Sequence, residues 1–359
     1  MPVADKDKFR GSGVEWKFFR GTDNNHVGLA GESLKLPIGI LWKYKGENGI
    51  QSSPAVGGKY VVFGGYDGVV RALDKNTGAK AWEFKTGDAI VSSPTIAGET
   101  VYIGSNDGNL YAITLATGEE AWRFKTGGAV KSSPAVAEGR VYVGSFDKKV
   151  YAINAESGKK EWEFATDDWV ESSSAVAGGR VYIGSDDSRL YALDAITGKK
   201  LWAFAAKDNV YATPAVADGR VHFGSWDWHA YALDAGTGKL LWKRKLEQQI
   251  AASPAVADGR VYHATYGGAV YALNAENGKT IWEFKNTGGF DASPVITGDT
   301  LFIGGYDEWL YALSAKDGTV RWKFKDRDYF RSTCAVANGA LYVGTIGGKL
   351  YAFAPTKSD

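Results

Sequence analysis

Side chains that could do chemistry concentrate between residues 167 and 229 of this 359-residue chain. Carboxylates, an arginine and a histidine stand there among indole rings: Asp167, Asp168, Trp169, Glu171, Asp186, Arg189, Asn209, Tyr211, Trp226, Trp228 and His229. Histidine and carboxylate are the usual groups of general acid–base catalysis. The same groups around aromatic rings could instead bind a polar small molecule, a sugar or a peptide.

The sequence lacks the motifs that would make this set a recognisable active site. It contains no nucleophile motif, no glycine-rich phosphate loop and no metal-ligand spacing. Its single cysteine, Cys334, excludes an intramolecular disulfide and a multi-cysteine metal site. We therefore predict no catalytic residue and no metal ligand.

Six acidic residues recur at intervals of 40 residues or a multiple of 40, and each lies in a loop that offers only one or two carboxylates. A calcium loop needs an alternating acidic series, so these residues are better explained as turn formers that bond their own backbone. They are Asp67, Asp107, Asp147, Asp187, Asp227 and Asp307.

Charge and hydropathy exclude several partner classes. The formal net charge is +1, so no overall field draws the chain to nucleic acid. No apolar run approaches the ~20 residues of a membrane span, and the first residues lack the apolar core of a secretion signal. As written, the sequence predicts a soluble, cytoplasmic monomer. A signal removed earlier would make it periplasmic or extracellular.

The elements that must position the central side chains follow from a period of 40 residues. Tryptophans stand at 42, 82, 122, 162, 202, 242, 282 and 322. Each period contains four short segments rich in Val, Tyr, Ile and Phe at period two, separated by Gly, Asp, Asn and Ser, which indicates four strands, A to D. We predict an all-β chain, an eight-bladed β-propeller of four-stranded antiparallel blades.

The strand count also predicts how the ring closes. The first D strand, around Trp42, precedes every A strand, and the last unit ends near Phe353 without a D strand. The N-terminal strand should therefore complete the last blade. We expect a lead-in segment at 1–38, one propeller at 39–353 and a tail at 354–359.

Successive antiparallel strands place the D-to-A and B-to-C loops on one face of the propeller and the A-to-B and C-to-D loops on the other. The eight copies agree on the second face and diverge on the first, which carries the extra aromatic residues. Such aromatic residues usually mark recognition, although they could also pack on neighbouring blades. The predicted ligand-binding residues are Trp169, Glu171, Asp186, Arg189, Tyr211, Trp226, Trp228, His229, Tyr266, Tyr306, Trp309 and Arg331.

A second divergent set lies two residues before each SSP-like triplet, where A strands should line the central channel. Two pairs of opposite charge, Lys131 with Glu171 and Asp291 with Arg331, fall in adjacent units. Ion pairs between blades explain them as well as a ligand does. His222 and His263 replace core residues of strand B, and we interpret them as packing variants rather than ligands.

The pattern Ala-x-Asp-x-x-Thr-Gly-x-x-x-Trp, as at 192–202 and 232–242, resembles the tryptophan-docking motif of the pyrroloquinoline-quinone (PQQ) propeller repeat family. That family contains quinone-dependent alcohol dehydrogenases, scaffold lipoproteins of outer-membrane β-barrel assembly and sensor domains. The dehydrogenases carry a vicinal cysteine pair and a calcium ion, and one cysteine cannot form the pair. The resemblance therefore favours the scaffold type.

The sequence as a whole favours a non-enzymatic binding or scaffold propeller without a cofactor. Its partner would be a protein, a carbohydrate or a small polar or aromatic ligand on the divergent loop face. The alternative is an enzyme at the channel mouth of units four and five, either dependent on PQQ and calcium or using Glu171, Asp186 and His229 as acid–base groups.

Overall fold

The computed structural model describes residues 14–17, 19–21 and 28–356. This part of the chain forms 32 β-strands and contains no helix. Accordingly, none of the described residues belongs to a helix long and apolar enough to cross a membrane.

The strands follow the period of 40. The first half of the chain contains β1 (Ile38–Lys45), β2 (Ala55–Gly57), β3 (Tyr60–Gly64), β4 (Val69–Asp74), β5 (Lys80–Lys85), β6 (Thr95–Ala97), β7 (Thr100–Gly104), β8 (Asn109–Thr114), β9 (Glu120–Lys125), β10 (Ala135–Ala137), β11 (Arg140–Ser145), β12 (Lys149–Asn154), β13 (Lys160–Ala165), β14 (Ala175–Ala177), β15 (Arg180–Gly184) and β16 (Arg189–Asp194). The second half contains β17 (Lys200–Ala205), β18 (Ala215–Ala217), β19 (Arg220–Gly224), β20 (His229–Asp234), β21 (Leu240–Lys245), β22 (Ala255–Ala257), β23 (Arg260–Ala264), β24 (Ala269–Asn274), β25 (Thr280–Lys285), β26 (Val295–Thr297), β27 (Thr300–Gly304), β28 (Trp309–Ser314), β29 (Val320–Lys325), β30 (Ala335–Ala337), β31 (Ala340–Gly344) and β32 (Lys349–Pro355).

These strands form eight four-stranded antiparallel sheets, which confirms the predicted propeller. Blades one to seven each contain four consecutive strands, beginning with β2. Blade eight contains β30, β31 and β32, and its outer strand is β1 from the other end of the chain. Ile38 pairs with Pro355 and Lys45 with Lys349, so the N-terminal strand closes the ring as predicted.

The repeated tryptophans join each blade to the next. Trp162 Nε1–H donates to the Ala195 carbonyl at 3.0 Å, and its indole lies against Gly198, where an added Cβ would be 2.6 Å from the ring. Gly198 has φ 69°, which also favours glycine there. Seven tryptophans, Trp42 to Trp282, repeat the bond to a carbonyl 33 residues later. Trp322 packs edge-on against Phe353 instead, because blade eight has no C-to-D corner.

A closed ring of hydroxyl groups joins the blades around the central channel. In each blade the backbone N–H of one Ser or Thr donates to the side-chain oxygen of its counterpart in the next blade, at 2.8–3.3 Å. The last of these bonds runs from Thr333 back to Ser53. We call this set the hydroxyl ring: Ser53, Ser93, Ser133, Ser173, Thr213, Ser253, Ser293 and Thr333.

The described part of the lead-in segment crosses one end of the channel. Trp16 pairs with Val56 in blade one, and the Lys17 carbonyl accepts the Ile96 N–H of blade two. Further along, Arg20 donates to the Pro254 carbonyl in blade six. Blades two and six are opposite each other in a ring of eight, and Phe19 lines the channel between them. The lead-in therefore covers the face of the A-to-B turns, and the divergent loops lie on the other face.

Candidate functional site

The turn aspartates of the B-to-C loops hold the loop face in place. Asp107 Oδ1 accepts the Asn109 N–H at 2.9 Å, and its Oδ2 accepts the Gly87 N–H of the preceding D-to-A loop at 2.7 Å. The Tyr111 hydroxyl also donates to this carboxylate, at 2.7 Å. Asp187 and Asp227 repeat all three kinds of bond. The aspartate at this position therefore fixes the B-to-C loop against the preceding D-to-A loop. No group of three or more metal-ligating side chains occurs among the described residues.

Two sets of side chains surround the channel on the loop face, and together we call them the channel mouth. One set precedes the hydroxyl ring and lines the channel with it: Gln51, Val91, Lys131, Glu171, Tyr211, Ala251, Asp291 and Arg331. The other set begins the B-to-C turns: Tyr66, Asn106, Phe146, Asp186, Trp226, Tyr266, Tyr306 and Ile346. The channel itself has a volume of about 90 Å³, which is room for several water molecules. A larger ligand would have to bind at the mouth.

Blades three to five build one half of the mouth. Lys131 Nζ lies 3.5 Å from Glu171 Oε1 and 4.3 Å from the centre of the Phe146 ring. The Tyr211 hydroxyl donates to Glu171 Oε1 at 3.2 Å. Trp169 stacks on Phe146 with ring centroids 4.8 Å apart and remains 47% exposed. This half therefore presents a fixed aromatic surface beside a partly buried carboxylate.

Trp226 continues the same half toward blade six. Its ring lies 6.3 Å from that of Tyr211 and 6.3 Å from that of Tyr266, measured between centroids. Its Nε1–H is buried and has no acceptor among the described residues. Asp186, which stands between Phe146 and Trp226 in blade order, has a buried Oδ1 that also lacks a partner there.

Burial and neighbouring charge change the acidity of this half of the mouth. Desolvation, followed by the fields of Glu171 and Asp168, raises the pKa of Asp186 to about 7. Desolvation also raises the pKa of Glu171, although Lys131 opposes it. At neutral pH Asp186 can therefore hold or release a proton.

Blades six to eight build the other half around one ion pair. Arg331 donates to Asp291 through both Nε, at 2.9 Å, and an Nη atom. The hydroxyls of Tyr266 and Tyr306 donate to the two oxygens of Asp291 at 3.2 and 3.3 Å. Asp291 is thus neutralised by the arginine. The ion pairs expected between adjacent units are both present, here and at Lys131 and Glu171.

Four of the predicted site residues lie on the outer rim rather than at the mouth. Arg189 Nη1 contacts Asp167 at 2.8 Å, and His229 Nδ1 contacts the Asp227 carbonyl at 2.8 Å. The rings of Trp228 and Trp309 lie against lysines of strand D, with Lys245 Nζ 5.6 Å and Lys323 Nζ 4.2 Å from their centroids. The alternative acid–base set of Glu171, Asp186 and His229 is thus divided between mouth and rim.

The turn geometry causes this division. Trp228 has φ 71°, the left-handed conformation that Gly68, Gly108 and Gly268 adopt at the same frame position. The chain reverses there, so Trp226 faces the channel while Trp228 and the residue after it face strand D. Lys148, Ser188 and Glu308 have the same positive φ at this position, so the conformation belongs to the turn in every blade and does not single out Trp228.

Sequence reasoning left several mouth residues out of the predicted site. Phe146, Lys131 and Asp291 are as closely involved as the predicted residues, and Asn106 Oδ1 is a further buried acceptor without a described partner. The available signal was the frame itself, since every residue that begins a B-to-C turn lies at the mouth. The hydroxyl ring also went unpredicted, because its bonds join different blades.

Comparisons with known proteins agree with the architecture. The family model described as outer membrane protein assembly factor BamB matches residues 39–115, 66–175, 166–242 and 226–359. No match was found among the curated proteins.

Similar solved structures include a BamB protein and two dehydrogenases. BamB from Moraxella catarrhalis is 20% identical, with a TM-score of 0.78, and the match covers 89% of this chain and 100% of that one. A europium-containing methanol dehydrogenase is 14% identical, with a TM-score of 0.85 and coverage of 97% and 99%. The quinohemoprotein alcohol dehydrogenase from Comamonas testosteroni is 16% identical, with a TM-score of 0.83 and coverage of 99% and 82%. At these identities the likeness concerns the fold alone.

Proposed function

The chain belongs to the family described as outer membrane protein assembly factor BamB, and we propose that it acts as a binding propeller without catalytic activity. Its ligand, a segment of a partner protein or a small polar molecule, binds at the channel mouth. One observation carries the proposal: Trp169 is 47% exposed while it is held flat on Phe146 at the mouth. Rigid, exposed aromatic rings offer large contact area at low entropy cost.

The asymmetry of the two faces supports the mouth as the binding surface. The described lead-in residues lie across the A-to-B turns, where Glu15 accepts the Gly58 N–H and Glu32 accepts the Gly339 N–H. On the loop face, Tyr329 and Trp169 are about half exposed, at 48% and 47%. A partner that approaches the loop face would meet these rings first.

The partner-binding role predicts a face-specific loss of capture. We expect cross-linking in cells that produce this protein, followed by mass spectrometry, to recover a bound partner with the wild type. The variant Ile196→Ala, which changes an exposed apolar residue on a C-to-D turn of the opposite face, is the control and should recover the same partner. Trp169→Ala should lose most of that recovery, because it removes the exposed ring. Trp228→Ala tests the rim of the same face, and partner recovery should be retained in this variant if the partner binds at the mouth. If Ile196→Ala abolishes capture and Trp169→Ala does not, the proposed face is wrong.

The mouth residues fit PQQ poorly. PQQ is a tricarboxylate, and the mouth has three carboxylates, Glu171, Asp186 and Asp291, against two cations that already contact Glu171 and Asp291. The one cysteine, Cys334, is buried within blade eight and cannot supply a vicinal pair.

A quinone-dependent activity is nevertheless testable directly. We expect an optical titration with PQQ, with and without calcium, to show no saturable change, because like charges face each other at the mouth. Saturable binding that depends on calcium and is lost in Glu171→Gln would restore the redox alternative. Lys148→Gln, on the outer side of the same face, is the control for nonspecific attraction of the anion.

A further inference from the structure

The chain contains three Asn–Gly pairs, at residues 48–49, 277–278 and 338–339. In such a pair the backbone nitrogen of the glycine can attack the side-chain amide carbon of the asparagine, because glycine has no side chain to hinder the approach. The pair at 48–49 lies in the D-to-A loop before β2, the pair at 277–278 in a C-to-D turn, and the pair at 338–339 in an A-to-B turn. The three turns hold the glycine nitrogen differently.

Two of the three glycine nitrogens are already hydrogen-bonded. The Gly278 N–H donates to the Asn274 carbonyl at 2.9 Å. The Gly339 N–H donates to Glu32 Oε1 at 2.9 Å, and Asn338 itself is only 3% exposed. In both pairs a hydrogen bond must break before the nitrogen can attack, so the fold protects these two asparagines.

The third glycine nitrogen is free to react. The Gly49 N–H has no hydrogen-bond partner among the described residues, and the exposed side chain of Asn48 makes no hydrogen bond with them either. The loop also requires a glycine at this position, because an added Cβ would lie 2.6 Å from the Ile346 carbonyl oxygen. The fold therefore keeps the less hindered nucleophile next to an unrestrained amide.

The D-to-A loops of other blades show where a side chain at the position of Asn48 points. Asp88 occupies this position in the next blade, and its Oδ1 accepts the Ala89 N–H at 2.6 Å. Asp208 repeats this bond to the residue after it at 2.8 Å. The loops match, since the carbonyls of Gly49 and Ala89 each accept an N–H of the following B-to-C turn at 2.9 Å. This conformation therefore favours placing the side-chain carbon of Asn48 beside the Gly49 nitrogen.

We propose that Asn48–Gly49 is a site of spontaneous deamidation, with water as the co-reactant. The Gly49 nitrogen forms a bond to Asn48 Cγ, the Cγ–Nδ2 bond breaks, and ammonia leaves with the proton that Gly49 gives up. Water then opens the cyclic imide at one of its two carbonyls. Opening at Cγ leaves an aspartate. Opening at the former backbone carbonyl leaves an isoaspartate, and the main chain then runs through Cβ and Cγ.

An isoaspartate at position 48 would lengthen a loop that is held at both ends. The Gly46 N–H donates to the Gly348 carbonyl at 2.8 Å, and the Gly49 carbonyl accepts the Tyr66 N–H at 2.9 Å. The additional main-chain carbon must displace Gly49, which is already in close contact with its surroundings. The reaction therefore weakens the attachment of this loop to blade eight and to Tyr66 at the channel mouth.

Peptide mass spectrometry during incubation at mildly alkaline pH tests the proposal. Trypsin places the three pairs on separate peptides, 46–59, 261–279 and 332–349. In the folded protein we expect the pair at 48–49 to convert roughly tenfold or more faster than the other two, which must first break a hydrogen bond. In urea the three rates should become similar, because the hydrogen bonds are lost. Fragmentation that separates isoaspartate from aspartate identifies the product.

Two matched substitutions connect the reaction with its structural effect. Asn48→Gln has a longer side chain that cyclises far more slowly, so its peptide 46–59 should stay unchanged. Asn277→Gln alters an equally exposed asparagine of a protected pair and should leave conversion at 48–49 at the wild-type rate. Thermal unfolding of incubated samples should show a lowered midpoint for the wild type and for Asn277→Gln but not for Asn48→Gln.

Three results would overturn the deamidation site. They are equal rates at the three pairs in the folded protein, faster conversion at 277–278 or 338–339, or conversion at 48–49 that is slowed by folding as strongly as the other two. An equal fall in midpoint for incubated Asn48→Gln and wild type would show that an isoaspartate at 48 does not loosen the ring.

Discussion

Trp162→Ala should destabilise the propeller by about 3–5 kcal/mol, the cost of removing a large buried ring that leaves a cavity. Trp162 is 8% exposed, packs against Gly198, and lies 5.8 Å from the Tyr142 ring. Its loss would also remove one of the two side-chain hydrogen bonds to the Ala195 carbonyl of blade four, the other being donated by the Tyr142 hydroxyl at 3.1 Å. Urea unfolding followed by circular dichroism measures the change.

Trp228→Ala is the control for this substitution. Trp228 is 36% exposed on the rim, at a position where four blades have glycine, so its removal should cost less than about 1 kcal/mol. Trp162→Phe should fall between the two, since it keeps part of the packing and loses the Nε1–H donor. Equal midpoints for Trp162→Ala and Trp228→Ala would show that the docking tryptophans do not hold the blades together.

Acid should destabilise this protein through two buried imidazoles. His222 and His263 are 1% and 0% exposed, and burial lowers the pKa of each to about 3. The unfolded chain takes up a proton near pH 6.5, and the folded protein does so only near pH 3. Stability is therefore lost as the pH falls below about 6.5. At pH 5 the loss is about 2 kcal/mol for each histidine, and it depends little on the exact folded pKa.

The repeat itself supplies replacements for these histidines. Tyrosine occupies the position of His222 in five blades, for example Tyr182, whose hydroxyl donates to the Ala235 carbonyl at 3.0 Å. Valine or isoleucine occupies the position of His263 in most others. The double variant His222→Tyr/His263→Val should not lose stability in this way. The difference in unfolding free energy between variant and wild type should therefore be about 4 kcal/mol more favourable to the variant at pH 5 than at pH 7.5. Parallel stability curves for wild type and variant between these pH values would refute the assignment.

The period of the sequence was sufficient to predict the blades, because each repeat carries its own strands and the tryptophan that docks it. The closure by β1 followed from counting strands. The lead-in segment has no repeat, so nothing in the sequence placed Trp16 or Phe19 at the covered end of the channel. The hydroxyl ring could not be predicted for a related reason. Each SSP-like triplet indicates the strand that it precedes, but it does not show which residue of the next blade it bonds.

The residues of the site were predicted less accurately than the fold, and the backbone geometry of the B-to-C turns explains why. Trp226 and Trp228 are two residues apart, and alternation would put them on the same side. The positive φ at Trp228 turns it toward strand D, while Trp226 stays beside Tyr211 at the mouth. Asp186 was predicted as a site residue, but its unsatisfied oxygen and its raised pKa depend on burial and on Glu171. Neither is visible in a residue type.

The closure of blade eight has a mechanical consequence. Ile38 and Pro355 pair at the end of the β1–β32 contact where the chain enters and leaves the propeller. Tension between those two points would open the contact like a zipper, one hydrogen bond at a time, which is the weakest direction in which to load a strand pair. The lead-in changes this, because Trp16 is tied to Val56 and Leu29 to Ile296 ahead of β1. A force applied at the N-terminus must break these two contacts before it acts on the β1–β32 strand pair. The lead-in segment therefore protects the closure of the ring from mechanical load.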